Sequence, residues 1–301
     1  MTGNSIFIFG AGYSAQAFAG QNPDFGRFVG TTRSQGKFEA LRQANIEPLI
    51  FDGTTTPQIK AALAETTHLV ISIAPETAGD PVLQAARDMI MTGMPALRWI
   101  GYLSTVGVYG DHGGDWVDES AECRPVSDRS TLRLQAEQAW QSLGRAIGKP
   151  VAVLRLSGIY GPGRNAFVNL KEGTAKRLIK PGQVFNRIHR DDISGALRHL
   201  AGQDTGGIFN ITDDRPAPPQ DVVTYAATLM NVPPPPEADF ATAQLSPMAR
   251  SFYGENKRVS NAAVKATGYA FRFPDYHAAF DHMWESGDWD KGMARSAMKR
   301  S

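Results

Sequence analysis

The sequence predicts an α/β protein: a doubly wound parallel sheet followed by a smaller C-terminal lobe. Three observations carry this. Short apolar runs alternate with helix-patterned stretches from residue 5 to about residue 155. A glycine-spaced turn, GAGYSA, follows the first run where a strand should turn into a helix. After residue 156 the alternation loosens.

SIFIFG, RFVGTT, EPLIFD, HLVISIA, LRWIGYLS and PVAVLRL read as six strands, each short, apolar and rich in β-branched or aromatic residues. Helical patterning between them covers 14–20, 34–44, 57–64, 81–91 and 129–146, each bounded by glycine, proline or a capping residue. Six strands joined by crossover helices make a Rossmann-type sheet over residues 1–156, which 207–211, within GGIFNIT, can complete. Residues 157–301 form the smaller, partly interleaved lobe, expected to bind substrate. Pro233 to Pro236 read as a stiff polyproline link, and the polar tail from Lys291 as a frayed terminus.

Composition excludes several function classes. A formal charge of +1 over 301 residues leaves no electrostatic footprint for nucleic acid, and no basic run marks a membrane surface. A small-molecule partner is expected instead. One cysteine, Cys123, rules out an internal disulfide and a thiolate metal site, and no metal is expected. The first apolar run breaks at Gly10 after five residues, too short for a membrane span or signal sequence. A reducing cytoplasm is the expected compartment.

In GAGYSA, Gly10, Gly12 and Ala15 match GxGxxA: the first glycine permits the tight turn, the second admits a pyrophosphate to the backbone, and the alanine lets helix pack on strand. Tyr13 and Ser14, between them, would present backbone N–H groups at the helix N-terminus. The ligand is therefore a dinucleotide. At the end of the second strand stand Thr32, Arg33 and Ser34, where an acidic residue would accept a ribose 2′-hydroxyl. Arg33 can instead face a 2′-phosphate, so NADP is expected in preference to NAD, the plain alternative being a surface arginine. Asp52 after the third strand is placed for the adenine edge or for a turn before Gly53, and Ala74 closes the fourth strand near the cofactor.

YLSTVGVYGD, RLSGIYGPGRN and RIHRDD, together with the glycine loop, resemble the extended short-chain dehydrogenase/reductase family of nucleotide-sugar epimerases, dehydratases and reductases. RVSNAAVKATGYAFRFPDY is similar to the C-terminal segment of an atypical, epimerase/dehydratase-like bacterial branch. The resemblance implies that Thr105, with Ser104 beside it, holds a substrate oxygen, and that Ser157, Gly158 and Ile159 lie near the nicotinamide. It also implies that Arg164, Asn165, Arg187 and His189 face the substrate, which a phosphorylated or nucleotide-sugar ligand would suit, and that the protein can form a homodimer. The alternative for RIHRDD is a helix start capped by Asp191 or Asp192, with His189 structural.

In one place the chain departs from the family. Its YxxxK pair, aligned through a trailing glutamate on Glu137, falls on Arg129 and Arg133. YxxxK itself recurs only at Tyr253 and Lys257, which reads as coincidence. Arg129, Arg133, Ala136 and Trp140 share one helical stripe, so the arginines border an apolar face, and Glu137 can pair with Arg133 at i, i+4. Arginine stays protonated and cannot be a general base. It can stabilise an oxyanion or hold an anionic substrate. The proton donor would then be Tyr109, His112 or Tyr160. An oxidoreductase or epimerase-like enzyme is one reading. A protein that kept the fold and reports cofactor state without turnover is the other.

Overall fold

The computed structural model describes residues 3–244, 250 and 252–291; residues 292–301 of the basic tail lie outside them. The strands are β1 (Asn4–Phe9), β2 (Gly26–Thr32), β3 (Ile46–Ile50), β4 (His68–Ile71), β5 (Trp99–Thr105), β6 (Trp116–Val117), β7 (Val151–Leu156), β8 (Gly158–Tyr160), β9 (Arg177–Ile179), β10 (Arg187–His189), β11 (Gly207–Ile211), β12 (Glu237–Asp239) and β13 (Arg258–Val259). The helices are α1 (Tyr13–Gln21), α2 (Phe38–Gln43), α3 (Pro57–Ala64), α4 (Pro81–Thr92), α5 (Asp128–Ile147), α6 (Ala166–Lys171), α7 (Arg190–Gly202), α8 (Pro219–Leu229), α9 (Ala262–Ala266) and α10 (Tyr276–Ser286).

Seven strands form one sheet in the order β11-β7-β5-β4-β1-β2-β3, every pair parallel. The expected doubly wound α/β class is what the chain adopts. The strands read as unbroken apolar runs because helices cover both faces. α1 and α7 pack one face over Ile8, Phe18, Leu197 and Phe209, and α3, α4 and α5 pack the other over Phe7, Ile71, Ile100 and Trp140. The strand order reverses across the sheet between β1 and β4, and in sheets of this kind a ligand lies beyond the carboxyl ends of the strands at such a switch point.

Outside the main sheet the chain builds three short parallel pairs, β8 with β10, β9 with β12 and, reaching back before β7, β6 with β13. α6, α8 and α10 enclose a third apolar core around Phe167, Ala226 and Phe280. Asp192, fully buried in α7, stitches this region to the sheet: its carboxylate accepts from the backbone of Arg272 at 2.6 Å and Phe273 at 3.1 Å and from Tyr269 Oη at 3.0 Å. Pro235, in the proline run, accepts from Arg177 Nη1 at 3.2 Å. No described helix is long and apolar enough to cross a membrane.

Candidate cofactor and substrate site

β1 ends at Phe9 and the chain turns sharply through Gly10, whose φ of +86° suits glycine. Its N–H donates to Thr31 Oγ1 at 2.9 Å, fixing the turn against β2. A Cβ on Gly10 would stand 2.8 Å from Ile73, whereas one on Gly12 would meet nothing closer than Gly10 O at 3.9 Å. The two glycines thus do different work: Gly10 has no room for a side chain, and Gly12 keeps an open approach to the backbone. No side chain caps α1, so its first N–H groups and its dipole remain available to an anion. Ala15 is fully buried against the sheet and Ser14 nearly so. Tyr13 leaves the loop altogether: its hydroxyl donates to Pro162 O at 2.9 Å and the Arg190 guanidinium lies 4.8 Å from its ring.

At the end of β2, Thr32 Oγ1 accepts from Ser34 N at 3.3 Å, and Arg33 is exposed with no side-chain hydrogen bond or ion pair among the described residues. Asp52 takes the turn reading. Its carboxylate accepts from Thr54 N at 3.1 Å across Gly53, which has a φ of +106°. Ala74 is exposed, three residues past the end of β4.

The carboxyl end of β5 separates the neighbours Ser104 and Thr105. Strand alternation turns Ser104 inward, where it is buried and donates to Glu137 Oε1. Its hydroxyl is therefore committed to Glu137, contrary to the expectation that it stands beside Thr105 toward the substrate. Glu137 does not pair with Arg133 either. It is buried in a bidentate pair with Arg155, at 2.8 Å from Nη2 and 3.2 Å from Nε, because Arg155 is the one charge inside the apolar strand β7 and needs a counter-ion. Thr105 is half-buried, and its Oγ1 accepts from Gly107 N at 3.1 Å, which leaves the hydroxyl hydrogen free.

The two arginines on α5 part company. Arg133 Nη1 donates to Leu103 O at 2.8 Å and to Tyr102 Oη at 3.3 Å, a cation over the tyrosine ring at the end of β5. Arg129, one turn nearer the N-terminus of α5, is exposed and makes no side-chain hydrogen bond or ion pair among the described residues.

The proposed proton donors fare differently from expectation. Tyr109 is a core residue: it is fully buried, donates to Asn210 Oδ1 at 2.8 Å, lies under the Arg155 guanidinium, and burial pushes its pKa up to about 12. His112 Nε2 is 3.1 Å from Tyr109 O and its loop is tied to Asn256 O by backbone hydrogen bonds. Burial also raises the Tyr160 phenol well above its ordinary value. Lys257 is buried with Nζ on Gly110 O at 2.7 Å and Glu255 Oε2 at 2.6 Å, a structural role.

Around β8 and β10 the backbone takes several of the expected polar groups. Ser157 Oγ donates to Ile211 O at 3.3 Å, Gly158 N donates to Asn186 O at 3.0 Å, and Gly158 is exposed with Ile159 partly so. Asn165 caps α6, accepting from Val168 N at 3.1 Å, while its amide donates to Gly161 O and Trp289 O. His189 itself, instead of Asp191 or Asp192, caps α7: Nδ1 accepts from Asp191 N at 3.2 Å, because β10 feeds straight into the helix. Burial lowers its pKa to about 4. Asn165 is thus committed to its helix start, whereas His189 uses only Nδ1 there and keeps a buried Nε2 with no hydrogen-bond partner among the described residues. Arg187 and Arg164 remain, facing a cavity of about 550 Å³ that Tyr160, Phe280 and Glu172 also line.

Sequence reasoning missed the Ser104–Glu137–Arg155 network and the Tyr13 link. Arg155 alone carried a legible signal, a single charge in the apolar run VAVLRL.

No protein-family model matches the chain. Protein YeeZ of Escherichia coli K12 is 26% identical over 273 residues, covering 82% of this chain and 88% of its own. A functionally unknown conserved protein from Silicibacter pomeroyi is 43% identical, with a TM-score of 0.86 over 95% of this chain and 99% of its own. A putative NAD-dependent epimerase/dehydratase from Methylobacillus flagellatus superposes with a TM-score of 0.71 at 23% identity over 95% and 99% of the two chains. The same fold occurs in a dTDP-glucose 4,6-dehydratase from Bacillus anthracis in complex with NAD and in a human epimerase family protein with NADPH, at 16% and 18% identity and TM-scores of 0.74 and 0.71. They cover 97% and 93% of this chain and 100% and 99% of their own. The chain belongs to one family with the Silicibacter pomeroyi protein, and its fold is the extended short-chain dehydrogenase/reductase fold of the NAD-dependent epimerases and dehydratases.

Proposed function

We propose that the protein binds NADP in preference to NAD at the carboxyl ends of β1 and β2 and acts as an oxidoreductase or epimerase-like enzyme on a carbonyl or nucleotide-sugar-type substrate. The observation that carries this is the phosphate loop: Gly10 with no room for a Cβ, Gly12 with an open approach, and an uncapped α1 behind them. These residues fit a dinucleotide. NAD and NADPH each occur on neighbours of this fold, so the choice between them rests on Arg33, an exposed cation unclaimed by any described residue at the end of β2. When bound, the nicotinamide supplies or accepts a hydride.

The chain's own residues then have distinct tasks. Thr105 donates a hydrogen bond to the substrate oxygen, and the proton that completes reduction comes from solvent water. Arg133 holds the end of β5 through Leu103 O and would contact the ribose of a bound dinucleotide. Arg129, uncommitted to any described partner, stabilises negative charge developing on that oxygen, which a permanent cation does well and a base could not. A second reading, cofactor binding without turnover, is favoured by one observation: a cation that cannot exchange a proton stands where the family's tyrosine stands.

The test is NADPH consumption across carbonyl and nucleotide-sugar panels with the wild type and Thr105→Val. The enzyme reading expects turnover that falls roughly 100- to 1,000-fold on losing the hydroxyl donor. NADPH binding with no consumption on any panel, and no effect of the substitution, would instead support the sensor.

A further inference from the structure

Tyr13 has its backbone in one place and its side chain in another. It is the first residue of α1, and its N–H is among the donors that no side chain caps, the ones a dinucleotide phosphate would take. Its hydroxyl donates to Pro162 O at 2.9 Å, in the loop between β8 and α6. The Arg190 guanidinium, 4.8 Å from the ring, packs it there.

The loop that receives the hydroxyl is one wall of the cavity described above, through Gly163, Arg164 and Asn165. Its backbone is bridged on itself and anchored beyond: Gly161 N donates to Arg164 O and Arg164 N to Gly161 O, both at 3.0 Å, and Gly163 N donates to Trp289 O at 2.8 Å. These three amides exchange with solvent only when the loop opens.

His189 adds an unused donor at the same spot. Burial keeps its ring neutral, and Nδ1 accepts from Asp191 N, so the ring hydrogen sits on Nε2, which is buried without a partner among the described residues. Nε2 lies 3.3 Å and Tyr13 Oη 2.8 Å from the point where a Cβ on Gly161 would stand. Both atoms converge on a space that glycine leaves open. The hydroxyl gives its hydrogen to Pro162 O and keeps lone pairs to accept another. An unpaired buried donor costs stability that such a bond would return.

We propose that Tyr13 is a positioning residue that couples dinucleotide binding to the wall of the cavity. In the free protein the loop opens with Tyr13 following it. A phosphate on the Tyr13 N–H pins the residue, so opening must break its bond to Pro162 O, and His189 Nε2–H closes on the same hydroxyl. Occupancy of the glycine loop therefore shuts the loop at 161–165, a differential contact of the kind that coupling between sites requires. The proposal rests on the dinucleotide reading above for the ligand at the glycine loop.

The test is amide hydrogen exchange resolved by NMR, on protein that is free and on protein saturated with NADPH, or with NADH if that binds more tightly, with occupancy measured by calorimetry on the same samples. In the wild type the amides of Gly161, Gly163 and Arg164 should slow roughly five-fold or more on saturation, the low end of ordinary coupling. Tyr13→Phe keeps the ring and the backbone N–H and deletes only the hydroxyl. At its own saturating concentration, the slowing at these three amides should disappear. A merely structural hydroxyl would instead speed exchange by the same factor with and without dinucleotide, and that intact ratio overturns the coupling. Direct shielding by a nicotinamide near Ser157, Gly158 and Ile159 would slow the loop alike in both proteins, which overturns it too. The wild-type arm needs no variant: full occupancy without slowing sinks the coupling alone. Calorimetry that shows no dinucleotide bound sinks the cofactor reading and the coupling with it.

Discussion

Replacing Glu137 by Gln keeps the shape of a buried side chain and deletes its charge. Arg155, 3% exposed, would then lack the counter-ion that meets it at 2.8 and 3.2 Å, and its Nη1 already has no hydrogen-bond partner. Breaking a buried pair from one side costs about 3–5 kcal/mol. Ser104→Ala removes one hydrogen bond to the same carboxylate but leaves the ion pair, about 1.5–3 kcal/mol. Against a total stability on the order of 5–15 kcal/mol, both are measurable and the first is large. Urea unfolding monitored by tryptophan fluorescence should give a lower midpoint for Glu137→Gln than for Ser104→Ala, at equal slope. Exchanging both Glu137 and Arg155 for methionine should recover most of the loss, because the penalty lies in the unpaired charge. If Glu137→Gln costs no more than Ser104→Ala, or the double replacement is worse than either single one, the network does not hold β5, β7 and α5 together as described.

Gly10→Ala should abolish dinucleotide binding and lower stability, since the added carbon would stand 2.8 Å from Ile73 at a φ of +86°; calorimetric binding that survives would mean the loop is looser than drawn. Asp213 should make stability depend on pH in a specific direction. Buried, its carboxyl keeps a proton to about pH 8 in the fold and loses it near 3.8 when unfolded, so the folded state binds more protons between those values and stability falls as pH rises through them. The upper bound is about 6 kcal/mol at roughly 1.4 kcal/mol per unit. Asp213→Asn should flatten this slope in denaturant midpoints taken across the window, and an unaltered slope would assign the dependence elsewhere.

The sheet was legible because its determinants are local. Each apolar run is one strand, and the glycine spacing fixes where the first strand turns. The strand at 207–211 could be placed because its apolar run is bounded by Gly206 and Gly207. What sequence spacing concealed were partners brought together by folding. Glu137 looked able to reach Arg133 one turn away, yet a helix-surface pair worth a few tenths of a kcal/mol yields to a buried arginine on another element that has no other counter-ion. Tyr13 reads as part of the phosphate loop and instead reaches Pro162, 149 residues away. Capping preference pointed to Asp191 or Asp192, but the direct passage from β10 into α7 gave the position to His189, leaving Asp192 free to bind the backbone of Arg272 and Phe273. Strand alternation could have separated Ser104 from Thr105 beforehand, since adjacent residues face opposite sides.

The most direct test of the account is the affinity of NADPH and NADH for the wild type and for Arg33→Ala. The wild type should prefer NADPH, and the substitution should weaken NADPH by roughly 10- to 100-fold, the worth of about 1.5–3 kcal/mol for hydrogen bonds to a charged phosphate, while leaving NADH nearly unchanged. Equal losses for both, or no binding of either dinucleotide by the wild type, would contradict it.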